Sequence, residues 1–149
     1  MTRDEVMAMT DEELRIKAAE LVGWAELPEP MCAKQGLAVT NLYSQTYFYW
    51  QKGDEYAEDI PDYPNDIAAA WELFESIYVK GGKIKGGAWV LGTVHGGLDC
   101  AHACLMWKEK GFTKFRPLKV EVTRRRGEMA RAITDAWVCA MMGVSDETV

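Results

Sequence analysis

The stretch RPLKVEVTRRRGEMARAITDAWVCAMMG, residues 116–143, contains a strand pattern followed at once by a helix pattern. Polar and apolar residues alternate over residues 116–125 with the period of two that is typical of a strand. Over residues 128–143 the apolar residues recur at helical spacing and lie on or beside one face: Met129, Ile133, Ala136, Trp137 and Cys139 to Met141. The stretch therefore predicts a strand that leads directly into an amphipathic helix.

Another helix is predicted over residues 11–22. Thr10 and Glu13 have the spacing of a capping box, and Gly23 ends the helical pattern. The apolar residues of this segment share one face: Leu14, Ala18, Leu21 and Val22.

A third helix is predicted to begin at Pro64 and to end near Lys80. Proline suits the first turn of a helix because an N–H group at that position has no partner within the helix. Asp66 adds a negative charge at the positive end of the helix dipole. We expect the apolar stripe of this helix to be buried: Ile67, Trp71, Phe74 and Tyr78, widened by Ala70, Leu73 and Ile77.

The remaining segments are shorter. The aromatic run at residues 42–50 favours a strand, and the rest of residues 27–62 is predicted as loop. Residues 88–94 are an apolar segment between glycine turns and are predicted as a strand. Residues 98–111 are predicted as a helix that buries a face including Cys100, Cys104 and Trp107.

These elements predict an α+β fold in a single domain spanning residues 1–149. The expected architecture is an α–β–α sandwich, in which a small, mostly antiparallel sheet is covered by helices. A chain of 149 residues with 48% hydrophobic residues is large and apolar enough to bury a core without metal or disulfide bonds.

The charge balance excludes a general nucleic-acid coat. The formal net charge is -6, whereas binding to nucleic-acid polymers depends mainly on Lys and Arg that neutralise phosphates. No apolar run is long enough to cross a bilayer and no signal peptide is visible, so we expect a cytoplasmic protein without a membrane partner. In that compartment the four cysteines are expected to be thiols.

Three blocks of the sequence resemble a known family. They are MTDEELRIKAAELVGW (9–24), PDYPNDIAAAWELFE (61–75) and RAITDAWVCAMMG (131–143), and they are similar to the phage ABA sandwich domain. The matching positions in the first two blocks are Leu14, Ala18, Gly23, Trp24, Pro61, Asp62, Tyr63, Asn65, Asp66, Ile67 and Trp71. The resemblance implies an α–β–α sandwich of phage or prophage origin, located in the bacterial host cytosol, and it brings no catalytic residues. The aromatic segment 37–52 and residues 81–126 depart from the family pattern.

The segment HGGLDCAHAC, residues 95–104, contains residues that bind metals or act as nucleophiles. On the predicted helix Cys100 and Cys104 share a face while His102 points elsewhere, so the segment alone is a poor zinc chelate. Cys100 near a helix start, with His95 upstream, is a candidate thiol nucleophile. Buried free thiols are the simpler interpretation, and no metal, cofactor or catalytic residue is predicted.

Two other patterns are weaker. The acidic cluster at residues 54–66 has the charge for magnesium binding or acid–base chemistry but fits no calcium loop, and a solvated loop before a helix explains it. The glycine pairs of GGKIKGG, residues 81–87, lack the spacing of a phosphate-binding loop.

Arginines and aromatic residues together predict a ligand site. Three consecutive arginines lie between a strand and a helix, where backbone N–H groups favour an anion. Aromatic residues crowd a short strand, so some of them must point away from the core. The arginines also fit a solvated strand end or ion pairs with residues 54–66, and the aromatics also fit a subunit interface. The predicted ligand-binding residues are Arg124, Arg125, Arg126, Lys83, Lys85, Tyr47, Tyr49, Trp50 and Trp89.

Three functions follow as hypotheses. The first is a non-enzymatic phage counter-defence protein that sequesters a small phosphorylated ligand, such as a cyclic nucleotide or an ADP-ribose derivative serving as a host immune signal. Tight binding requires an enclosed site, which favours a homo-oligomer. The second is a module that docks on and inhibits a host protein through the aromatic strand and the acidic loop. The third is a thiol or zinc enzyme built on Cys100 and His95.

Overall fold

The structure is a computed structural model that describes residues 1–32, 47–79, 83–84, 87–96, 100–110 and 115–144. Within these ranges the side chains are not described at Cys32, 77–79, 83–84, 87–93, 95–96, 107–110 and 115–118. The described helices are α1 (Arg3–Met7), α2 (Asp11–Val22), α3 (Ile67–Val79) and α4 (Met129–Met141). The described strands are β1 (Ala25–Cys32), β2 (Tyr47–Lys52), β3 (Glu55–Ala57), β4 (Lys83–Ile84), β5 (Gly87–Gly96), β6 (Cys100–Lys110) and β7 (Phe115–Arg125).

The strands form two antiparallel sheets. A small sheet has the order β1-β2-β3, and a larger sheet has the order β4-β5-β6-β7. In the larger sheet β6 lies between β5 and β7, and Ala103 of β6 pairs with Val94 on one side and with Val122 on the other. Together with four helices packed against them, these sheets confirm the predicted α+β class.

Helix α4 lies at the centre of the molecule. Every residue from 130 to 140 is buried, because α4 packs on β6 and β7 as well as on α1, α2 and α3. The buried residues of the two strands alternate with less buried ones, as they must when one face of a sheet covers a helix: Ala101, Ala103, Leu105, Val120 and Val122. The strand and the helix predicted from residues 116–143 are therefore confirmed, and they form the core.

A buried ion network holds the chain termini together. Asp135 of α4 is fully buried, and its carboxylate accepts hydrogen bonds from Arg124 Nε at 2.8 Å and from Arg131 Nε at 3.1 Å. Arg124 Nη2 lies 2.7 Å from the same carboxylate and also donates to the carbonyl of Met7 at 2.6 Å. Arg131 donates to the Asp11 carboxylate at 2.6 Å. The network joins β7 and α4 to the turn between α1 and α2.

The two guanidinium groups determine whether this carboxylate can stay charged. Burial raises the pKa of the Asp135 carboxyl, and the positive charges of Arg131 and Arg124 oppose that rise. A charge that has left water must be paired and hydrogen-bonded to be tolerated. Asp135 therefore has a structural role that depends on both arginines.

The turn before α3 is held by the two neighbouring helices. Arg15 of α2 donates to the carbonyls of Pro61, at 3.2 Å, and Ile60. Thr134 of α4 donates to the carbonyl of Tyr63 at 2.9 Å. The Tyr63 ring is buried, and this burial raises the pKa of its phenol, whereas a hydrogen bond with Trp24 lowers it. This turn is therefore a structural part of the core.

Helix α2 has the predicted bounds. The Thr10 hydroxyl accepts from Glu13 N and the Glu13 carboxylate accepts from Thr10 N, both at 3.2 Å. Gly23 ends the helix with φ 116°, a left-handed conformation that favours glycine. Helix α1 was not predicted, although Thr2 and Glu5 form the same capping box before it.

Helix α3 differs from its prediction in start and orientation. It begins at Ile67, because Asp66 caps it by accepting from Ala68 N at 2.9 Å, and Pro64 lies in the preceding turn. The expected burial of Ile67 and Trp71 is wrong, since they are 51% and 46% exposed. Phe74, Ala70 and Leu73 are buried as predicted, and Ala69 completes the buried face.

The helix predicted over residues 98–111 is wrong. The chain forms strand β6, which is hydrogen-bonded on both edges to β5 and β7. The spacing of Cys100, Cys104 and Trp107 fits a helix, but the alternation of Ala101, Ala103 and Leu105 fits a strand, and pairing within the sheet decides between them. The predicted strand over 88–94 lies within β5 and is confirmed.

The loop predicted for most of residues 27–62 is also partly wrong, because β1 and β3 lie in this range. Pro28 and Pro30 are tolerated in β1 because it is an edge strand, and the pairing register with β2 shifts between Glu26 and Met31. The strand predicted at 42–50 is confirmed from Tyr47 onwards, and residues 42–46 lie outside the described residues.

Candidate binding surface

Three exposed tyrosines lie on one face of the small sheet. Tyr47 and Tyr49 alternate with half-buried residues along β2 and are 43% and 46% exposed. Tyr56 of β3 is 41% exposed and pairs with Gln51 of β2. Gln51 is two residues after Tyr49, so its side chain lies on the same face of β2 as those of Tyr47 and Tyr49. Gln51 Nε2 lies 3.3 Å from the Tyr56 hydroxyl, as expected for two residues on the same face. We call Tyr47, Tyr49 and Tyr56 the tyrosine face.

The opposite face of the small sheet turns towards the core. Trp50 is half-buried and packs against the core cluster, so it does not join the tyrosine face. The Lys52 ammonium lies 5.1 Å from the centre of the Trp24 ring, next to the end of α2. The sheet is thereby fixed to the domain on one side and presents its tyrosines on the other. Trp50 is accordingly a packing residue, and the predicted stacking role does not fit its position.

The segment that contains β3 and leads to α3 is acidic. Between residues 52 and 62 the exposed carboxylates are Asp54, Glu55, Glu58, Asp59 and Asp62. Two of these form ion pairs, Glu55 with Lys52 at 3.6 Å and Asp59 with Arg15 at 2.9 Å. The remaining negative charge is in excess, so this surface favours a positively charged partner.

The three predicted arginines have different environments. Arg124 is held by Asp135 and by the Met7 carbonyl, which gives it a structural role, and its role as a phosphate ligand stays a prediction. Arg125 and Arg126 are exposed at the end of β7. The Glu128 carboxylate accepts from the backbone N of Arg125 at 3.2 Å and so occupies a backbone donor that an anion would need. A remaining anion site would consist of the Arg125 and Arg126 side chains.

The other predicted ligand residues cannot be added to that site. Lys85 lies outside the described residues, and Lys83 and Trp89 are described only as positions in β4 and β5. The arginines end the larger sheet, whereas the tyrosines belong to the small sheet. The combined phosphate and stacking site therefore stays a prediction.

The Cys–His hypothesis changes because β6 is a strand. Cys100 begins a strand, so the helix N-terminus that was expected to activate it does not exist. Cys104 is buried, with its sulfur 4.0 Å from the Glu121 carboxylate. Among the side chains that the structure describes, no three His, Cys, Asp or Glu groups are close enough together to hold a metal ion.

Besides the tyrosine face, the structure has a pair of exposed apolar residues that the sequence analysis did not predict to be exposed. Ile67 and Trp71 lie one turn apart on the outer face of α3. The sequence contained a signal for this exposure. Ala70, Leu73 and Phe74 already form an apolar face that can be buried, so the helix does not need Ile67 and Trp71 for its packing.

The chain matches no protein-family model, and no curated protein or solved structure is similar to it. No helix among the described residues has the length and apolar character required to span a membrane. The assignment of a function therefore depends on the surfaces described above.

Proposed function

We propose that this protein is a binding protein that docks on a basic protein surface through its tyrosine face. The observation that carries the proposal is the exposure of Tyr47, Tyr49 and Tyr56 on the face of the small sheet opposite to Trp50, which packs against the core cluster. Tyrosine provides a large, rigid contact area with one polar end and is enriched in protein interfaces. The resemblance to phage proteins makes a host protein the expected partner.

Charge supports the choice of a basic partner. The five exposed carboxylates of residues 54–62 lie in the segment that contains β3 and leads to α3, and they outnumber Lys52 and Arg15, the cations with which two of them form ion pairs. Complementary charge at the rim of an interface speeds association and excludes wrong partners, and its effect weakens as salt screens it. We therefore expect binding that depends on the tyrosines for affinity and on the acidic residues for its salt dependence.

Replacing Tyr47 and Tyr49 by serine should abolish recovery of the partner in a pull-down from a bacterial lysate. Truncation of an interface tyrosine that is central to binding weakens it by about 2 kcal/mol or more, or about 30-fold. The substitutions should leave the fold unchanged, since both side chains are exposed. The matched control is the double serine variant of Arg125 and Arg126, which should recover one stoichiometric protein as wild type does. Equal recovery by the tyrosine variant, or no specific recovery by wild type, would refute the proposal.

A second candidate function rests on the exposure of Arg125 and Arg126. Two adjacent guanidinium groups at a strand end are suited to a phosphorylated small molecule, such as a cyclic oligonucleotide or an ADP-ribose derivative. It ranks below the tyrosine face because Arg124 is already bound to Asp135.

Calorimetry with cyclic oligonucleotides and ADP-ribose tests this candidate. If it is correct, wild-type protein releases or absorbs heat on binding. The Arg125→Ser/Arg126→Ser variant should bind at least about 100-fold more weakly, because it loses one hydrogen bond to a charged group at each arginine and each such bond contributes about 1.5–3 kcal/mol. The Tyr47→Ser/Tyr49→Ser variant is the control and should bind as wild type does. An absence of heat with wild-type protein would eliminate this function.

A further inference from the structure

One free edge of the larger sheet lies along β7. This strand comes last in the sheet order, and among the described strands it pairs with β6 alone. An edge strand presents backbone N–H and C=O groups that can pair with a strand of another molecule. Natural proteins therefore cover such edges or make pairing with them unfavourable.

Two hydrogen bonds identify the residues of β7 whose backbone faces away from β6. The carbonyl of Glu121 accepts from Arg3 Nη1 at 3.4 Å, and the backbone N–H of Arg125 donates to the Glu128 carboxylate at 3.2 Å. Residues of an antiparallel strand alternate between bonding to the neighbouring strand and facing away from it. The odd-numbered residues from 119 to 125 therefore direct their N–H and C=O groups to the free edge.

Helix α1 holds Arg3 at this edge. Val6 of α1 is fully buried in the core cluster. The carbonyl of Met7, at the end of α1, accepts hydrogen bonds from Arg124 at 2.6 Å and from Arg131 at 3.3 Å. Because α1 is attached in this way to β7 and α4, the Arg3 side chain lies beside the middle of the edge.

The charges along the edge suit pairing with a second copy of the chain. Lys119 and Glu121 flank the buried Val120, so they lie on the face of β7 away from α4, and they form an ion pair at 3.2 Å. If two copies of β7 paired antiparallel about a two-fold axis at Val120, Lys119 of each copy would lie opposite Glu121 of the other copy. Opposite charges stabilise such a cross-strand pair, whereas an axis at Lys119 or at Glu121 would place like charges opposite each other. Pairing about Val120 would use the Glu121 carbonyl, which is the acceptor that Arg3 occupies.

We propose that the Arg3 side chain closes the free edge of β7 to a second copy of this chain, and that two copies associate through β7 once Arg3 leaves it. The two ends of the edge have protection of their own. Pro117 has no N–H to donate, and Glu128 occupies the N–H of Arg125. Arg3 is therefore the group that controls the middle of the strand. The tyrosine face belongs to the other sheet, so this inference is independent of the proposed function.

Sedimentation velocity of full-length variants tests the closure. Arg3→Ala removes the guanidinium group and keeps a good helix former in α1. This variant should form a species of twice the wild-type mass as its concentration rises. The matched control is Lys17→Ala, which removes one positive charge from α2 and should sediment as wild type does. Circular dichroism establishes that both variants are folded. A folded Arg3→Ala variant with the mass of wild type at every concentration would overturn the proposal.

Charge exchange in the Arg3→Ala background tests whether the copies associate through β7. Lys119→Glu would place like charges opposite each other at two symmetric positions and should weaken the association about 10-fold or more. Adding Glu121→Lys exchanges the two charges and should restore the association. Association that is unaffected by Lys119→Glu, or that the charge exchange does not restore, would contradict pairing through β7.

Discussion

Replacing Asp135 by asparagine is expected to lower the free energy of unfolding by about 3–5 kcal/mol, because removing one partner of a buried ion pair leaves the other charge uncompensated. The substitution keeps the size of the side chain but removes the charge that Arg124 and Arg131 contact. Arg124 would then lose its carboxylate partner, while Arg131 would keep its ion pair with Asp11. Urea unfolding followed by circular dichroism measures the loss.

Asp11 provides the matched control for this experiment. It belongs to the same network through Arg131, but its side chain is 55% exposed. Exposed ion pairs contribute about 0–1 kcal/mol, so Asp11→Asn should change the stability by less than about 1 kcal/mol. If Asp135→Asn cost no more than Asp11→Asn, the network would not have the structural role described here.

Replacing Phe74 by alanine is expected to lower the free energy of unfolding by about 3–5 kcal/mol, the usual cost of removing a buried aromatic ring and leaving a cavity. Phe74 is 2% exposed on the face of α3 that packs against α4. Because α4 is buried on all sides, the surrounding side chains have little freedom to fill the cavity. Thermal and urea unfolding give the size of the effect.

Trp71 on the same helix is the control and decides the orientation of α3. Its ring centroid lies 6.1 Å from that of Phe74, yet its side chain is exposed. Trp71→Ala should therefore change the stability by about 0.5 kcal/mol or less. A loss for Trp71→Ala as large as that for Phe74→Ala would favour the orientation expected from the sequence, in which both side chains are buried, over the one in the structure.

The elements with local signals could be predicted from the sequence. Helix α2 has a capping box at its start and a left-handed glycine at its end, so both bounds follow from short-range chemistry. The strand and helix of residues 116–143 follow from the spacing of the apolar residues, which changes from a period of two residues to one of about 3.6 residues. These signals were enough to give the α+β class, whereas the burial of α4 on all sides was not predicted.

Strand β6 could not be predicted, because its identity is decided by its neighbours. Small residues such as Ala101 and Ala103 have no strong preference for a strand, and the cysteines fit a helix equally well. Hydrogen bonds to β5 and β7 select the strand. The choice between strand and helix also determines which residues share a face. The wrong helix prediction therefore led to the wrong conclusion that His102 points away from the face of Cys100 and Cys104.

The candidate surface was predicted in part. The alternation in β2 correctly indicated that some aromatics point outwards, and the structure identifies them as Tyr47 and Tyr49. The role of Arg124 could not be deduced, because its partner Asp135 is eleven residues away on another element. A carboxylate among the apolar residues of an amphipathic helix is the sequence signal that cations must lie nearby, and Arg131, one turn earlier in α4, is one of them.

Hydroxyl-radical footprinting of the recovered complex tests most directly whether the protein binds through its tyrosine face. Oxidation of Tyr47, Tyr49 and Tyr56 should fall when the partner is bound, because these side chains are exposed in the free protein. Trp71, which is exposed on α3, serves as the internal reference and should be oxidised equally in both states. Unchanged oxidation of all three tyrosines in a complex of established stoichiometry would contradict the proposed function.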